Sequence, residues 1–137
     1  DGLLSLNSNA TNTVIAAVDT PVLVAGTWVI ERVSLFTGTT AGRLTSQTEG
    51  NVVGPLDATL TVEAASGANK AITAYFAKNG TIITNSGIHG EVGSGAPQNL
   101  SLVWQDVFAE DDFVEVFVEN NTDGIDLLVS SAKLRVR

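Results

Sequence analysis

The feature that most constrains this chain is the pair Asn79-Gly80, which separates two runs of β-branched, aromatic and small residues. Asn-Gly is typical of a two-residue β-hairpin loop, because a type I′ turn needs a positive φ angle at both central positions. The run before the pair alternates, so that Ile72, Ala74 and Phe76 share one face of the predicted strand. The sequence therefore predicts a hairpin with Asn79-Gly80 at its tip and an apolar face that belongs to a core.

Similar alternation recurs along the chain, and no segment shows the 3.6-residue period of an amphipathic helix. Alternate positions are apolar from residue 58 to 64, and valines alternate with larger or charged residues from 113 to 119. Short strands separated by turn residues at fairly regular spacing are typical of a β-sandwich or barrel. We therefore predict an all-β protein, an antiparallel two-sheet jelly-roll sandwich, with residues 1–137 as a single domain.

Three stretches lack this regular pattern. Residues 1–18 mix leucines with an Asn/Ser/Thr cluster, so we expect either an N-terminal arm that reaches a neighbour or the first strand of the domain. Residues 50–57 contain Gly54-Pro55 and are expected to form a connection. Residues 85–99 hold four glycines, a proline and the only histidine, which predicts a long exposed loop.

Charge and hydropathy argue against nucleic-acid and membrane partners. The net charge is −8, and nine acids with no lysine or arginine lie between residues 91 and 126. Such a field repels phosphate backbones, so no direct contact with nucleic acid is expected. No apolar run reaches the roughly 18 to 20 residues that a membrane span needs. Because methionine is absent, we expect that an initiator or leader precedes Asp1 or that the chain belongs to a longer protein.

Residues with catalytic or metal-binding chemistry are few and scattered. A zinc site needs three or four ligands, whereas the chain has one histidine, His89, and no cysteine. Ser86 and Ser94 lie near it in sequence, but neither falls in the G-x-S-x-G elbow of serine hydrolases. We therefore predict a non-enzymatic protein with no catalytic residues, no bound metal and no cofactor.

The acidic turn Glu110-Asp111-Asp112 has three interpretations. Its carboxylate oxygens could hold calcium with help from backbone carbonyls, although the spacing matches no EF-hand loop. Two carboxyl groups on either side of a cleft could hydrolyse a glycosidic bond, but the sequence marks no cleft. The third and simplest interpretation is that the acids are solvated on the turn.

Aromatic residues at outward positions suggest a contact with another subunit. Alternation places Tyr75, Phe113 and Phe117 opposite the predicted core face, with Glu115 between the two phenylalanines. If the two strands are neighbours in one sheet, these side chains form an outward patch of the kind enriched in protein interfaces. We therefore predict that Tyr75, Phe113, Glu115 and Phe117 form an interface with another subunit. The alternative is that a bulge reverses the alternation or that loops cover the patch.

Five segments carry a further signal: Phe36-Thr37 and residues 40–45, 58–62, 75–81 and 111–120. Together they resemble the jelly rolls of structural proteins from tailed bacteriophages, which are in turn similar to the C1q and tumour-necrosis-factor (TNF) class. The resemblance extends over roughly residues 19–136. It departs from the family pattern at Ser46-Gln47, where related sequences often have Tyr and Gly.

The resemblance implies a jelly roll of about ten strands that assembles as a homotrimer, with the strands of Tyr75 and Phe117 in the sheet that faces the threefold axis. Phage members of the class decorate capsids, form head fibres or occupy the tips of tail fibres and spikes. The expected function is that of a virion structural protein on the capsid surface, in contact with the major capsid protein or other virion proteins. The alternative is a fibre-tip or spike domain that binds a host surface carbohydrate or receptor through residues 85–99.

Overall fold

The computed structural model describes residues 1–137 and shows two antiparallel β-sheets packed face to face. The strands are β1 (Gly2–Leu6), β2 (Val22–Leu23), β3 (Val29–Val33), β4 (Phe36–Gly38), β5 (Leu44–Ser46), β6 (Val52–Ala64), β7 (Lys70–Lys78), β8 (Thr81–Ile82), β9 (Ile88–Val92), β10 (Gln98–Phe108), β11 (Phe113–Asn120) and β12 (Leu127–Val136). The single helical turn, Thr84–Ser86, is three residues long, so no helix of the structure could cross a membrane. The predicted all-β, two-sheet architecture is confirmed.

Strands that are distant in sequence are neighbours in each sheet. The first sheet has the order β10-β6-β12-β1-β3, and the second has the order β4-β5-β11-β7-β8, with β2 paired to β11 and β9 paired to β7. Such long-range antiparallel pairing is typical of jelly rolls, whose connections cross between two sheets. Strand β1 lies between β12 and β3, so residues 2–6 are built into the first sheet.

The core lies between the sheets, where 27 buried apolar side chains form one cluster. The predicted inward faces are confirmed, since Ile72, Ala74 and Phe76 of β7 are buried, as are all three valines of β11. The rings of Phe36 and Phe108 meet edge to face with their centroids 5.8 Å apart. This geometry suits the aromatic quadrupole and joins the two sheets at one end of the core.

The predicted hairpin tip is also confirmed. Asn79 and Gly80 have φ angles of 53° and 79°, and β7 pairs with β8 directly across the turn. The Asn79 side chain also ties the hairpin to the turn before β11. Its Nδ2 donates to Asp112 Oδ1 at 2.8 Å, and its Oδ1 accepts from the backbone N–H of Phe113 at 2.9 Å.

Two local predictions are wrong, because glycine in this chain marks close packing as well as turns. Residues 50–57, expected to form a connection, lie mostly in β6 and pair with β10. Residues 85–99, expected to form a long exposed loop, contain the helical turn and strand β9, which pairs with β7. A Cβ at Gly54 would come within 2.8 Å of the Phe108 ring, and one at Gly90 would come equally close to Leu100. Both glycines therefore allow a core side chain to pack against strand backbone.

Candidate functional site

The four predicted interface residues lie together on the outward face of the second sheet. Tyr75 and Phe117 are direct register partners across β7 and β11, so the two strands are neighbours as the sequence argument required. The three aromatic side chains are partly buried, however, and Glu115 is only 4% exposed. Other outward positions of β7 are fully covered, since Thr73 and Ala77 have no exposed surface. The aromatic patch exists, but the chain itself covers much of it.

Arg43 covers one end of this patch. Its guanidinium carbon lies 3.7 Å from the centroid of the Phe113 ring, a cation–π contact. Its Nε donates to Glu115 Oε2 at 3.4 Å. Arg43 is placed there because β5 begins at the next residue and pairs with β11, with Leu44 opposite Val114. The ion pair compensates a carboxylate that would be costly to bury alone.

Tyr75 and Glu119 form the other end of the patch. The Tyr75 hydroxyl donates to Glu119 Oε1 at 2.6 Å, and Glu119 is only 6% exposed. The hydrogen bond to Glu119, together with burial, raises the pKa of Tyr75 above its ordinary value, because an ionised phenol would face a carboxylate. The backbone at Gly87 packs on the Tyr75 ring, since a Cβ there would come within 2.6 Å of it.

The outward face of the first sheet differs because its apolar side chains are exposed. Val53, Val103 and Val107 are 58%, 71% and 44% exposed, and we call these three residues the valine face. Val107 is the register partner of Val53, and Val103 lies further along β10, opposite Asp57. The sequence argument missed this face. The available signal was the position of Val103 and Val107 in β10, since both alternate with the inward residues Leu102 and Phe108.

A polar cavity of about 380 Å³ opens on the other half of the same face. Its walls are outward side chains of three adjacent strands, β6, β10 and β12. They are Thr59, Thr61, Asn99, Ser101, Ser131 and Lys133, and the lining also includes Asn7 and the largely buried Leu60, Leu100 and Ala132. The outward face of the first sheet therefore has an apolar half and a polar half with a cavity.

The residues weighed for catalysis or metal binding are engaged in the fold. His89 Nδ1 lies 2.8 Å from Thr73 Oγ1. The Ser86 hydroxyl donates to the carbonyl of Ile83 and accepts from the backbone N–H of Phe76, so it holds the helical turn against β7. Ser94 lies beyond β9, where its backbone N–H donates to the carbonyl of Gly67. No group of three or more His, Asp or Glu residues is placed to hold a metal ion.

The acidic turn connects β10 to β11 and contacts the tip of the hairpin. Asp112 accepts hydrogen bonds from the Asn79 side chain at 2.8 Å and from the backbone N–H of Ala109 at 2.9 Å. These two hydrogen bonds lower the pKa of Asp112, because they favour the charged carboxylate. Lys78 Nζ lies 3.4 Å from the same carboxyl group, whereas Glu110 and Asp111 are exposed. Asp112 therefore stabilises the turn.

Solved structures of similar shape identify the fold. Murine APRIL superposes with a TM-score of 0.54 at 11% identity, over 98% of each chain. The vertex protein P5 of PRD1 gives 0.52 at 13% identity, over 97% of this chain and 94% of that chain. The chain has a C1q/TNF-like jelly-roll fold. The CBM22-1 xylan-binding domain of Paenibacillus barcinonensis Xyn10C gives a TM-score of 0.51 at 12% identity, over 99% of the present chain and 94% of the xylan-binding domain.

At these identities the likeness shows the fold alone. No protein-family model matches the jelly roll, and no curated protein matches it in sequence. The resemblance to TNF-like and phage structural jelly rolls is confirmed at the level of fold.

Proposed function

We propose that this jelly roll is a non-enzymatic virion structural protein, a homotrimer that decorates or cements the capsid of a tailed phage. The fold supports the proposal, since one of the similar structures is a vertex protein. The observation that carries self-association is the valine face, where three apolar side chains of two paired strands are 44% to 71% exposed. Clustered exposed apolar side chains on a rigid sheet are typical of protein interaction sites.

The physical basis of the trimer is burial of this face between copies of the chain. Removing apolar surface from water contributes about 25 cal/mol per Å² before the costs of association. Valine loses little side-chain entropy on burial, because β-branching already restricts its χ1 angle. Asp57 lies beside the valines and is bound by Arg135 and Arg137 at 3.0 and 3.2 Å. These charges suit the polar rim of an interface with an apolar centre.

The contact through Tyr75, Phe113, Glu115 and Phe117 stays a prediction and is the alternative interface. These side chains face outward, but Arg43 and Glu119 already engage them within one chain. A partner would therefore remove less apolar surface from water there than at the valine face. The two interfaces predict different substitutions that dissociate the trimer.

The molar mass of the purified chain, measured by light scattering across a dilution series, tests self-association. We expect a mass near that of three chains, and Val103→Glu should reduce it to that of one chain. Val14→Glu is the matched control, because Val14 is 68% exposed, close to the 71% of Val103, but lies outside both sheet faces. A wild-type monomer at every concentration would contradict the homotrimer, and a trimeric Val103→Glu variant would exclude the valine face.

Attachment to the virion would use contacts with the major capsid protein or other virion proteins. Three copies of a weak contact on one trimer raise the apparent affinity through effective concentration, so no strong single site is needed. No contact with nucleic acid or membrane is part of the proposal. Labelling of this protein on intact virus particles tests where it is attached, and we expect the label on the capsid surface.

Recognition of a host surface carbohydrate or receptor at a fibre tip stays the alternative function. Its predicted site, residues 85–99, is occupied in part by β9, which pairs with β7 over residues 88–92. Label confined to tail tips would favour this alternative and contradict capsid decoration.

A further inference from the structure

Lys133 is the only lysine or arginine of the chain that forms no ion pair with a carboxylate. The other six lysines and arginines lie 2.5 to 3.4 Å from a carboxylate oxygen; they are Arg32, Arg43, Lys70, Lys78, Arg135 and Arg137. An unpaired lysine stands out in a chain with 15 acids and 7 bases. The carboxylate of Glu31 is nearby in the sheet, but it accepts a hydrogen bond from Ser5, the register partner of Lys133. The Lys133 ammonium is therefore available to a ligand.

Lys133 lies in the wall of the polar cavity, which is built from two rows of side chains across three strands. One row is Lys133, Thr59 and Ser101, and the other is Ser131, Thr61 and Asn99. Within the second row the Thr61 hydroxyl donates to Asn99 Oδ1 at 2.8 Å, and no other side chain of the two rows is hydrogen-bonded to another. Neighbouring strands lie about 4.8 Å apart, so each row spans about 10 Å. The cavity thus presents hydroxyl and ammonium groups over a length greater than that of a simple ion.

We propose that this cavity binds a saccharide that carries a carboxylate group, with the carboxylate held by Lys133. Hydroxyl and amide side chains both donate and accept hydrogen bonds, which matches the dual character of sugar hydroxyls. An ammonium group forms a charge-assisted hydrogen bond with a carboxylate. The volume of about 380 Å³ falls within the range of about 300 to 1,000 Å³ that small-molecule sites occupy. The proposal goes beyond the structural role and does not depend on it.

The side chains that line the cavity favour this ligand over other anions and over peptides. The outward side chains of the two rows are hydroxyl, amide and ammonium groups. The apolar residues of the lining, Leu60, Leu100 and Ala132, are at most 5% exposed, so they offer little surface to a peptide side chain. Phosphate is more often bound by arginine forks or by backbone N–H groups at a helix N-terminus. The rows contain no aromatic ring for sugar stacking, so binding rests on hydrogen bonds and one charge. It should therefore weaken as salt is added, because the site is open to solvent.

Titration calorimetry with trigalacturonic acid as the acidic probe, and maltotriose as the neutral probe, tests the proposal on the full chain. We expect trigalacturonic acid to bind at least about tenfold more tightly than maltotriose. Lys133→Met should remove this preference. Arg32→Gln is the matched control, because it also deletes one positive charge but lies on β3, outside the cavity, with its side chain 62% exposed.

A second pair of variants tests the cavity itself. Ser101→Phe should abolish binding because its ring fills the cavity, whereas Ser101→Ala should keep binding within a few-fold. Equal binding of the two probes, no binding of either, or an unchanged preference in Lys133→Met would overturn the proposal. Light scattering on the same samples separates the two proposals: a monomer that binds trigalacturonic acid contradicts the trimer and supports the cavity site.

Discussion

The outward faces of the two sheets differ in how far their apolar side chains are exposed to solvent. On the second sheet, Tyr75 and Phe113 are partly buried and engaged by Glu119 and Arg43. On the first sheet, Val103 is 71% exposed. The same alternation rule places all of these residues outward. The difference shows that accessibility is decided by long side chains from neighbouring strands and loops, so the face with more aromatic residues is not the face with more exposed apolar surface.

The largest expected effect is that of Phe117→Glu. Phe117 lies on the same face of β11 as Glu115 and Glu119, which are 4% and 6% exposed. A third carboxylate between them adds like-charge repulsion in a poorly solvated position. We expect the free energy of unfolding to fall by about 3 kcal/mol or more, as measured by urea denaturation.

Phe117→Leu is the control for this substitution, since it keeps the position apolar and should lose only about 1 kcal/mol. If Phe117→Glu kept the wild-type free energy of unfolding and yet dissociated the trimer, the aromatic face would be the interface. The comparison between the two faces would then be reversed.

Tyr75→Phe should have the next largest effect on the second sheet. It removes the donor from the largely buried carboxylate of Glu119, and we expect a loss of about 1 to 2 kcal/mol in urea denaturation. A double-mutant cycle with Glu119→Gln isolates the pair. Since the pKa of Tyr75 is raised, this contribution should be full below about pH 10, the unfolded value, and lost as pH rises through the folded pKa. A loss close to zero would mean that water reaches Glu119.

These two substitutions concern contacts that local sequence patterns do not specify. The hairpin and the inward faces could be predicted, because Asn79-Gly80 and the alternation around it are local signals. Arg43 and Glu115, by contrast, are 72 residues apart. The outward position of Val53 could not be predicted, because Gly54-Pro55 is typical of a connection between strands. In the structure this pair lies inside β6.

Predicting the cavity from the sequence would have needed the same long-range information. Lys133, Thr59 and Ser101 form a row only through the registers of β12 with β6 and of β6 with β10. Register is set by pairing across the whole sheet and by its buried face. The chemistry of each residue was visible in the sequence, but the neighbours of each residue were not.

A smaller effect is expected on the pH dependence of stability, through Asp112 at the edge of the second sheet. The pKa of Asp112, beside the hairpin of the second sheet, is lowered by hydrogen bonds from Asn79 and Ala109. As pH falls, the unfolded chain takes up this proton first, so the stabilisation is present above about pH 4 and is lost as pH falls through the folded pKa. We expect Asp112→Asn to be less stable than the wild type at neutral pH and to lose less stability below about pH 4, as measured by urea denaturation across pH.

Asp111→Asn is the matched control for this prediction. Asp111 is exposed and has a φ angle of 67°, which asparagine tolerates well. The same flattening of the pH profile in Asp111→Asn would assign the effect to net charge and not to the hydrogen bonds of Asp112.

The smallest effect on the fold should come from Val53→Thr, Val103→Thr and Val107→Thr combined. Threonine keeps the β-branched shape and strand preference of valine, and substitutions at exposed positions usually change the free energy of unfolding by less than about 0.5 kcal/mol each. In a trimer, however, the three hydroxyls would enter an apolar contact without hydrogen-bond partners. We therefore expect dissociation at a higher protein concentration than for the wild type, as measured by light scattering, with nearly unchanged urea denaturation of the monomer.

Val62→Thr is the control for the chemistry of this exchange. Val62 lies on the inward face of β6 and has no exposed surface, so the same substitution should destabilise the monomer by about 1 to 3 kcal/mol. A triple variant that stays trimeric would show that the valine face is not the contact, and the aromatic face would then be the remaining candidate. A triple variant that dissociates while its fold is unchanged would show that exposure in the monomer identifies the interface, because the aromatic face would still be intact and would not hold the trimer together.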